Sequence, residues 1–118
     1  MREAGEIFGC AIPVGAHVVR EAGAVGGFLP ITETQWEAHY AAEPWMRGAR
    51  ALAAFRRLLA RFWQQFPAVR ELIGAIKADN RPARYLAARL GFSFRFRLSL
   101  PWPDGVTRET AIYGMPRP

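Results

Sequence analysis

The plainest chemistry in this sequence belongs to Arg47 and Gly48. They stand where a proline-led stretch, Ala42-Glu43-Pro44-Trp45-Met46, gives way to helical spacing. The first turn of a helix leaves backbone N–H groups unpaired and carries roughly half a positive charge, so it favours an anion. The junction is therefore read as a site for the pyrophosphate of a nucleotide cofactor. Asn80 precedes Arg81-Pro82 and is a good N-cap for a second helix, which is reason enough for its presence. Cys10 is the one cysteine, which excludes an intramolecular disulfide and a Cys-rich metal site. With no His or Asp beside it, Cys10 reads as a small buried residue rather than a nucleophile. His17 and His39 lack metal-ligand spacing.

These groups need elements to hold them. Residues 6–12 read as a short strand closed by Pro13, and a second extended piece centres on His17-Val18-Val19. Glu21-Ala22-Gly23 reads as a hairpin turn, followed by a strand over 24–32 that Gly26, Gly27 and Pro30 interrupt. Residues 33–42 alternate, with Trp36, Ala38 and Tyr40 on one face and Gln35, Glu37, His39 and Ala41 on the other. From Arg47 to Phe66 the period becomes helical: Leu52, Phe55, Leu58, Leu59, Phe62 and Phe66 form one apolar stripe, and Pro67 ends it. The near-continuous apolar run Glu71–Lys77 suits an interior strand covered on both faces. A short helix runs from Asn80 to Leu90 with Gly91 as its stop. Residues 92–100 alternate as a strand, with Phe92, Phe94, Phe96, Leu98 and Leu100 toward the core. Pro101–Gly105 turns the chain into an antiparallel partner over 106–114, and the final Met-Pro-Arg-Pro reads as loose.

The whole is a mixed α/β (α+β) domain over residues 1–118, with a central strand–helix–strand unit favouring a right-handed parallel crossover and a C-terminal β-hairpin. The chain has 118 residues, 51% of them hydrophobic, enough for one core. Net charge is +6, and Lys77 is the only lysine. A basic surface suits phosphate-bearing cofactors, nucleic acid or acidic protein faces. An Arg- and Ala-rich chain also follows from genomic base composition alone. No clear basic-and-aromatic surface argues for nucleic acid, which stays the third reading. Trp36, Trp45, Trp63 and Trp102 read as packing residues, and Arg95 and Arg97 as a solvated strand face. The start carries acidic residues and too short an apolar run for a signal peptide, and no run approaches a membrane span. The expected location is the cytoplasm.

The element order and two motifs resemble the GNAT superfamily of acetyl-CoA-dependent N-acetyltransferases, and small GNAT-like proteins of phages and prophages in particular. Asn80, Ala83, Leu90, Gly91 and Phe92 match an Asn-x-x-Ala/Ser…Leu-Gly-Phe signature, and Ala42 to Gly48 looks like the family's Val-x-Pro-x-x-Arg-Gly approach to its pyrophosphate helix. The resemblance spans residues 18 to 115. It implies a mixed, mostly antiparallel sheet in which acetyl-CoA or CoA slots beside a splayed strand. The pantetheine arm would pair with backbone at Tyr40, Ala41 and Ala42. The pyrophosphate would lie on the amides of Arg47, Gly48, Ala49, Arg50 and Ala51, with Asn80 touching the cofactor. Glu37, sharing a face with His39, is the candidate base that frees an acceptor amine, directly or through water.

Three departures accompany the resemblance. Arg50 and Leu52 replace small residues of the phosphate loop; Arg50 either blocks close approach or pairs with a phosphate. The position of the usual thiolate-protonating Tyr is Ala87, and Tyr85 lies about 200° away round the helix. The first strand and the two helices of the acceptor-side wall are mostly missing from the N-terminal part, and a homodimer could supply that wall. The leading expectation is acetyl transfer from acetyl-CoA to an amine, in a bacterial or phage-infected cell; the departures support the alternative, a GNAT-derived phage or prophage assembly protein without catalysis.

Overall fold

The computed structural model describes residues 3–8 and 13–118. In chain order the elements are α1 (Ala4–Phe8), β1 (His17–Glu21), β2 (Ala24–Pro30), β3 (Gln35–Ala42), α2 (Gly48–Gln65), β4 (Glu71–Lys77), α3 (Arg81–Leu90), β5 (Ser93–Pro101) and β6 (Thr107–Pro116). The strands form one sheet in the order β1-β2-β3-β4-β6-β5. Neighbours run antiparallel except β3 and β4, which flank the α2 crossover. The mixed, mostly antiparallel sheet, the central strand–helix–strand unit and the terminal hairpin are as the sequence predicts.

The core lies between α2 and the sheet. Phe28 stacks on Phe62 at 4.1 Å between ring centroids, and Trp36 meets Phe62 and Phe66 at 5.5 and 4.8 Å. Burying Phe28 and Phe62 contributes roughly 1.5–3 kcal/mol each, which fixes α2 flat on this face. The buried stripe is Ala51, Ala54, Phe55, Leu58, Leu59, Phe62 and Trp63. Leu52 and Phe66 lie only at its margin. The β1–β2 turn is sealed by the segment that precedes α2. Gly23 has φ +82°, and a Cβ there would come within 2.5 Å of the Trp45 ring and 2.8 Å of Met46. Glycine is needed there for conformation and for space.

Four expectations need correction. Residues 4–8 are helical rather than extended. The Glu6 carboxylate accepts from the Glu3 N–H, a local cap that outweighs a short apolar run whose period is ambiguous. Residues 9–12, with Cys10, lie outside the described residues. α1 sits on the sheet face opposite α2: a Cβ on Gly27 would lie 3.3 Å from the Phe8 ring. Its main contacts are with β2 and β3, so among the described residues no helix packs squarely on the second face of β4. Leu72 is buried beneath the helices, whereas Ile73 and Ala75 stay half-buried on the other side.

The alternation of β5 also breaks. Phe94 pairs with Tyr113 and Phe96 with Ile112, so a bulge at Arg95 turns the two phenylalanines to opposite faces. β5 is an edge strand, and both rings are about half exposed, 48% and 52%. The C-terminus is anchored rather than loose. Arg117 donates to the carbonyls of Val69 (2.7 Å), Phe66 (2.6 Å) and Trp63 (3.3 Å), and its guanidinium lies 4.7 Å over the Trp63 ring. A cation thus caps the carbonyl end of α2.

Candidate functional site

The site is built where the parallel pair opens. β3 and β4 are in register only at Gln35–Glu71, Trp36–Leu72 and Glu37–Ile73. Beyond that, residues 38–42 pair only with β2 and residues 74–77 only with β6. The seam between the two central strands is therefore lined by backbone groups without a cross-strand partner. An extended amide-bearing arm can complete such an edge.

Two helix N-termini face the open end of that seam. α2 starts with Arg47 as N-cap in an extended conformation (φ −131°, ψ 162°), with no side-chain cap and no acidic residue in the first turn. The first intrahelical bond there is Ala51 N–H to Arg47 C=O at 3.4 Å. The N–H groups of Gly48, Ala49 and Arg50 precede it and have no helical acceptor. Gly48 has φ +57° with open space around it, so its glycine serves the backbone angle. Arg47 and Arg50 are exposed, and the Arg50 guanidinium lies over Trp45, 5.7 Å from the ring centroid. Trp45 is 54% exposed, so it is a surface ring rather than a core residue.

Asn80 caps α3, its Oδ1 accepting from Ala83 N–H at 3.2 Å. The loop before it is tied by Arg84, which donates to the Ala78 carbonyl and the Tyr113 hydroxyl, both at 3.0 Å. Gly91 ends α3 with φ +110°. Tyr85 is exposed and bonded to Arg89 at 3.3 Å, while Ala87 is buried on the opposite side of the helix. Tyr85 therefore stands in for nothing at the Ala87 position.

Glu37 and His39 project from the sheet face that carries α1, and His39 Nε2 is hydrogen-bonded to Glu37 Oε1. That bond holds the Glu37 carboxyl below the usual carboxylate range, against the opposing effect of burial. Glu37 is thus ionised at neutral pH and orients the imidazole. In the next row, Gln35 Nε2 donates to Glu71 Oε1 at 2.8 Å, and Arg95 pairs with Glu71 at 2.5 Å by lying across Gly114. Arg95 and Arg97 both lie on the exposed strand as expected, and Arg95 is in addition held in place by its ion pair.

The structure brings Tyr40, Ala41 and Ala42 to the seam, and sets Arg47 to Ala51 and Asn80 at the two helix starts. Glu37 stands in the last registered pair of the seam and His39 just beyond it, both on the far face. Sequence reasoning missed Arg84, Arg95, Glu71 and the Tyr40 hydroxyl, because all four depend on contacts distant in the chain. An open cleft of about 600 Å³ lies at the other end of α2, lined by Pro30, Trp36, Gln65, Phe66 and Pro67 among others, and contains none of the predicted residues. Among the described residues no cluster of His, Cys, Asp and Glu could hold a metal, and no helix is long and apolar enough to cross a membrane.

No family model and no curated protein sequence matches this chain. Solved structures do. The microcin C7 self-immunity acetyltransferase MccE, in complex with acetyl-CoA and AMP, is 17% identical with a TM-score of 0.67, over 80% of this chain and 54% of that one. A GNAT-family acetyltransferase from Bacillus anthracis is 10% identical with a TM-score of 0.66, over 80% and 58%. A variant of the spermidine N-acetyltransferase SpeG from Vibrio cholerae is 16% identical with a TM-score of 0.69, over 84% and 63%. The fold of the chain is the GNAT fold. The chain spans less than two-thirds of the length of each of these structures, and they carry nothing on a phage or prophage affinity.

Proposed function

We propose that this chain binds acetyl-CoA and serves transfer of the acetyl group to an amine. The observation that carries the reading is the parallel pair that stops at Glu37–Ile73 and opens toward two helix N-termini. The residues present fit the cofactor. Unpaired backbone at Tyr40, Ala41 and Ala42 suits the amides of the pantetheine arm. The uncapped N–H groups of α2 with Arg47 suit the pyrophosphate, and Asn80 closes the site from α3. Arg50 is long enough to leave Trp45 and pair with a phosphate oxygen.

Bound acetyl-CoA supplies the acetyl group as an activated thioester. The chain supplies orientation and a place for the proton that the amine gives up as its nitrogen bonds the acetyl carbon and the thiolate departs. Glu37, held ionised, is a weak base by itself. The Glu37–His39 pair acts as a unit: the carboxylate orients the imidazole and stabilises the imidazolium that forms when His39 takes the proton, directly or through water. Fold neighbours described as acetyltransferases, one of them solved with acetyl-CoA, support the same reaction class. The structural neighbours give no support to a non-catalytic phage assembly role or to nucleic-acid binding. The test is release of free thiol from acetyl-CoA on incubation with a panel of small and peptide amines. Amine-dependent release supports the reading; none with any amine, in protein that binds the cofactor, removes the transfer step.

A further inference from the structure

Among the described residues, the hydroxyl of Tyr40 is a buried polar group with no structural use. Its oxygen is sealed from solvent and has no hydrogen-bond partner. The ring itself is accounted for. It stands edge-on to Phe28 at 5.9 Å and tilted against Phe55 at 5.3 Å. A phenylalanine would make both contacts. Burying a hydroxyl unpaired costs stability. Two other hydroxyls in the core are partnered: the Tyr113 hydroxyl receives Arg84 Nε at 3.0 Å, and buried Thr110 Oγ1 receives Trp102 Nε1 at 3.1 Å.

The position of the orphan gives it meaning. Tyr40 belongs to the part of β3 that has parted from β4, and its side chain stands on the face beneath the helices. It rises beside the same backbone that lacks partners in the seam. We infer that the Tyr40 hydroxyl donates a hydrogen bond to a carbonyl of the amide-bearing arm of the cofactor laid along residues 38–42. This rests on the coenzyme A reading and adds a side chain to the backbone contacts. Burial pushes the phenol ionisation far above its ordinary range, so the group is a donor at every working pH.

The test is Tyr40→Phe, measured by calorimetry with coenzyme A and with adenosine 3′,5′-bisphosphate, which has the phosphate end but no arm. Thermal melts of the unliganded proteins accompany it. The expected result is coenzyme A binding roughly three- to tenfold weaker, in line with one lost hydrogen bond. Bisphosphate binding stays unchanged, and the unliganded variant melts no lower than wild type. Unchanged coenzyme A affinity overturns the inference, as does equal weakening of both ligands or a lowered melting temperature. A wild-type protein that binds neither ligand overturns the coenzyme A reading itself, and the inference with it.

Discussion

Glu37 faces Ile73 in the last registered pair between β3 and β4. One pair earlier, Trp36 and Leu72 are locked beneath α2; three residues later, Tyr40 has no counterpart on β4 at all. The candidate base thus stands at the point where the sheet begins to open. A ligand arm entering the gap from the helix end would reach toward the Glu37–His39 pair.

That placement makes Glu37→Gln a test of chemistry separate from binding. The amide cannot stabilise an imidazolium. In protein with an identified amine acceptor, kcat/KM is expected to fall roughly 10²-fold, the low end for general acid–base groups. Coenzyme A affinity stays within twofold of wild type. A rate unchanged by the substitution would leave the pair as ordinary sheet-face polarity.

Arg117 predicts a stability effect far from the site. Its guanidinium serves carbonyls at the C-terminal end of α2 and lies over Trp63. Arg117→Ala leaves those acceptors short of partners and is expected to lower unfolding free energy by about 2–3 kcal/mol, read as a shifted urea midpoint. Arg117→Lys recovers only part of that, because an ammonium lacks the planar fork. A midpoint unchanged by Arg117→Ala would mean that the tail is frayed in solution.

Glu71 gives a pH prediction. The Arg95 guanidinium, then Gln35, holds its carboxyl below the usual carboxylate range. The folded pKa therefore lies below the unfolded value of about 4.5. The resulting stabilisation is complete above that value and is lost as pH falls through the folded pKa. Glu71→Gln is expected to lower stability at pH 7 and to flatten the loss seen on going from about pH 5 to pH 3. Gly114→Ala should do much the same, since its Cβ would occupy the path of the Arg95 side chain. An acid limb as steep in Glu71→Gln as in wild type would contradict this.

The two glycines around the phosphate-site candidate separate angle from space. Gly48 has a left-handed φ and open surroundings, so Gly48→Ala is expected to cost about 1–2 kcal/mol. Gly23→Ala adds a clash with Trp45 and Met46 and is expected to cost more. Equal costs, compared by chemical denaturation, would mean that the Trp45 ring is free to move aside.

Much of this arrangement was legible in the sequence. The change from period two at Trp36–Tyr40 to helical period after Arg47 set β3 and α2. Pro82 and Gly91 set α3, capping logic found Asn80, and the change of period placed Arg47 at the start of α2. What failed did so for physical reasons. The five residues of α1 are too few for helix and strand patterns to be told apart. The bulge at Arg95 leaves no mark on an alternating Phe-Arg-Phe-Arg run, because the extra residue is defined by its partner strand. A Pro-rich tail reads as loose unless the carbonyls awaiting Arg117 are known. Within the site, Glu37 and His39 were visible as neighbours on one face, whereas the orphaned Tyr40 hydroxyl emerges only once Phe28 and Phe55 surround it.

The most direct measurement is calorimetric titration of the protein with coenzyme A, repeated with Arg47→Glu. The account predicts micromolar binding to wild type. It predicts at least tenfold weaker binding to Arg47→Glu, whose melting temperature is no lower than wild type, because the Arg47 side chain is exposed and makes no cap bond and a carboxylate suits the start of a helix. No binding at millimolar coenzyme A, or equal binding by both proteins, would contradict it.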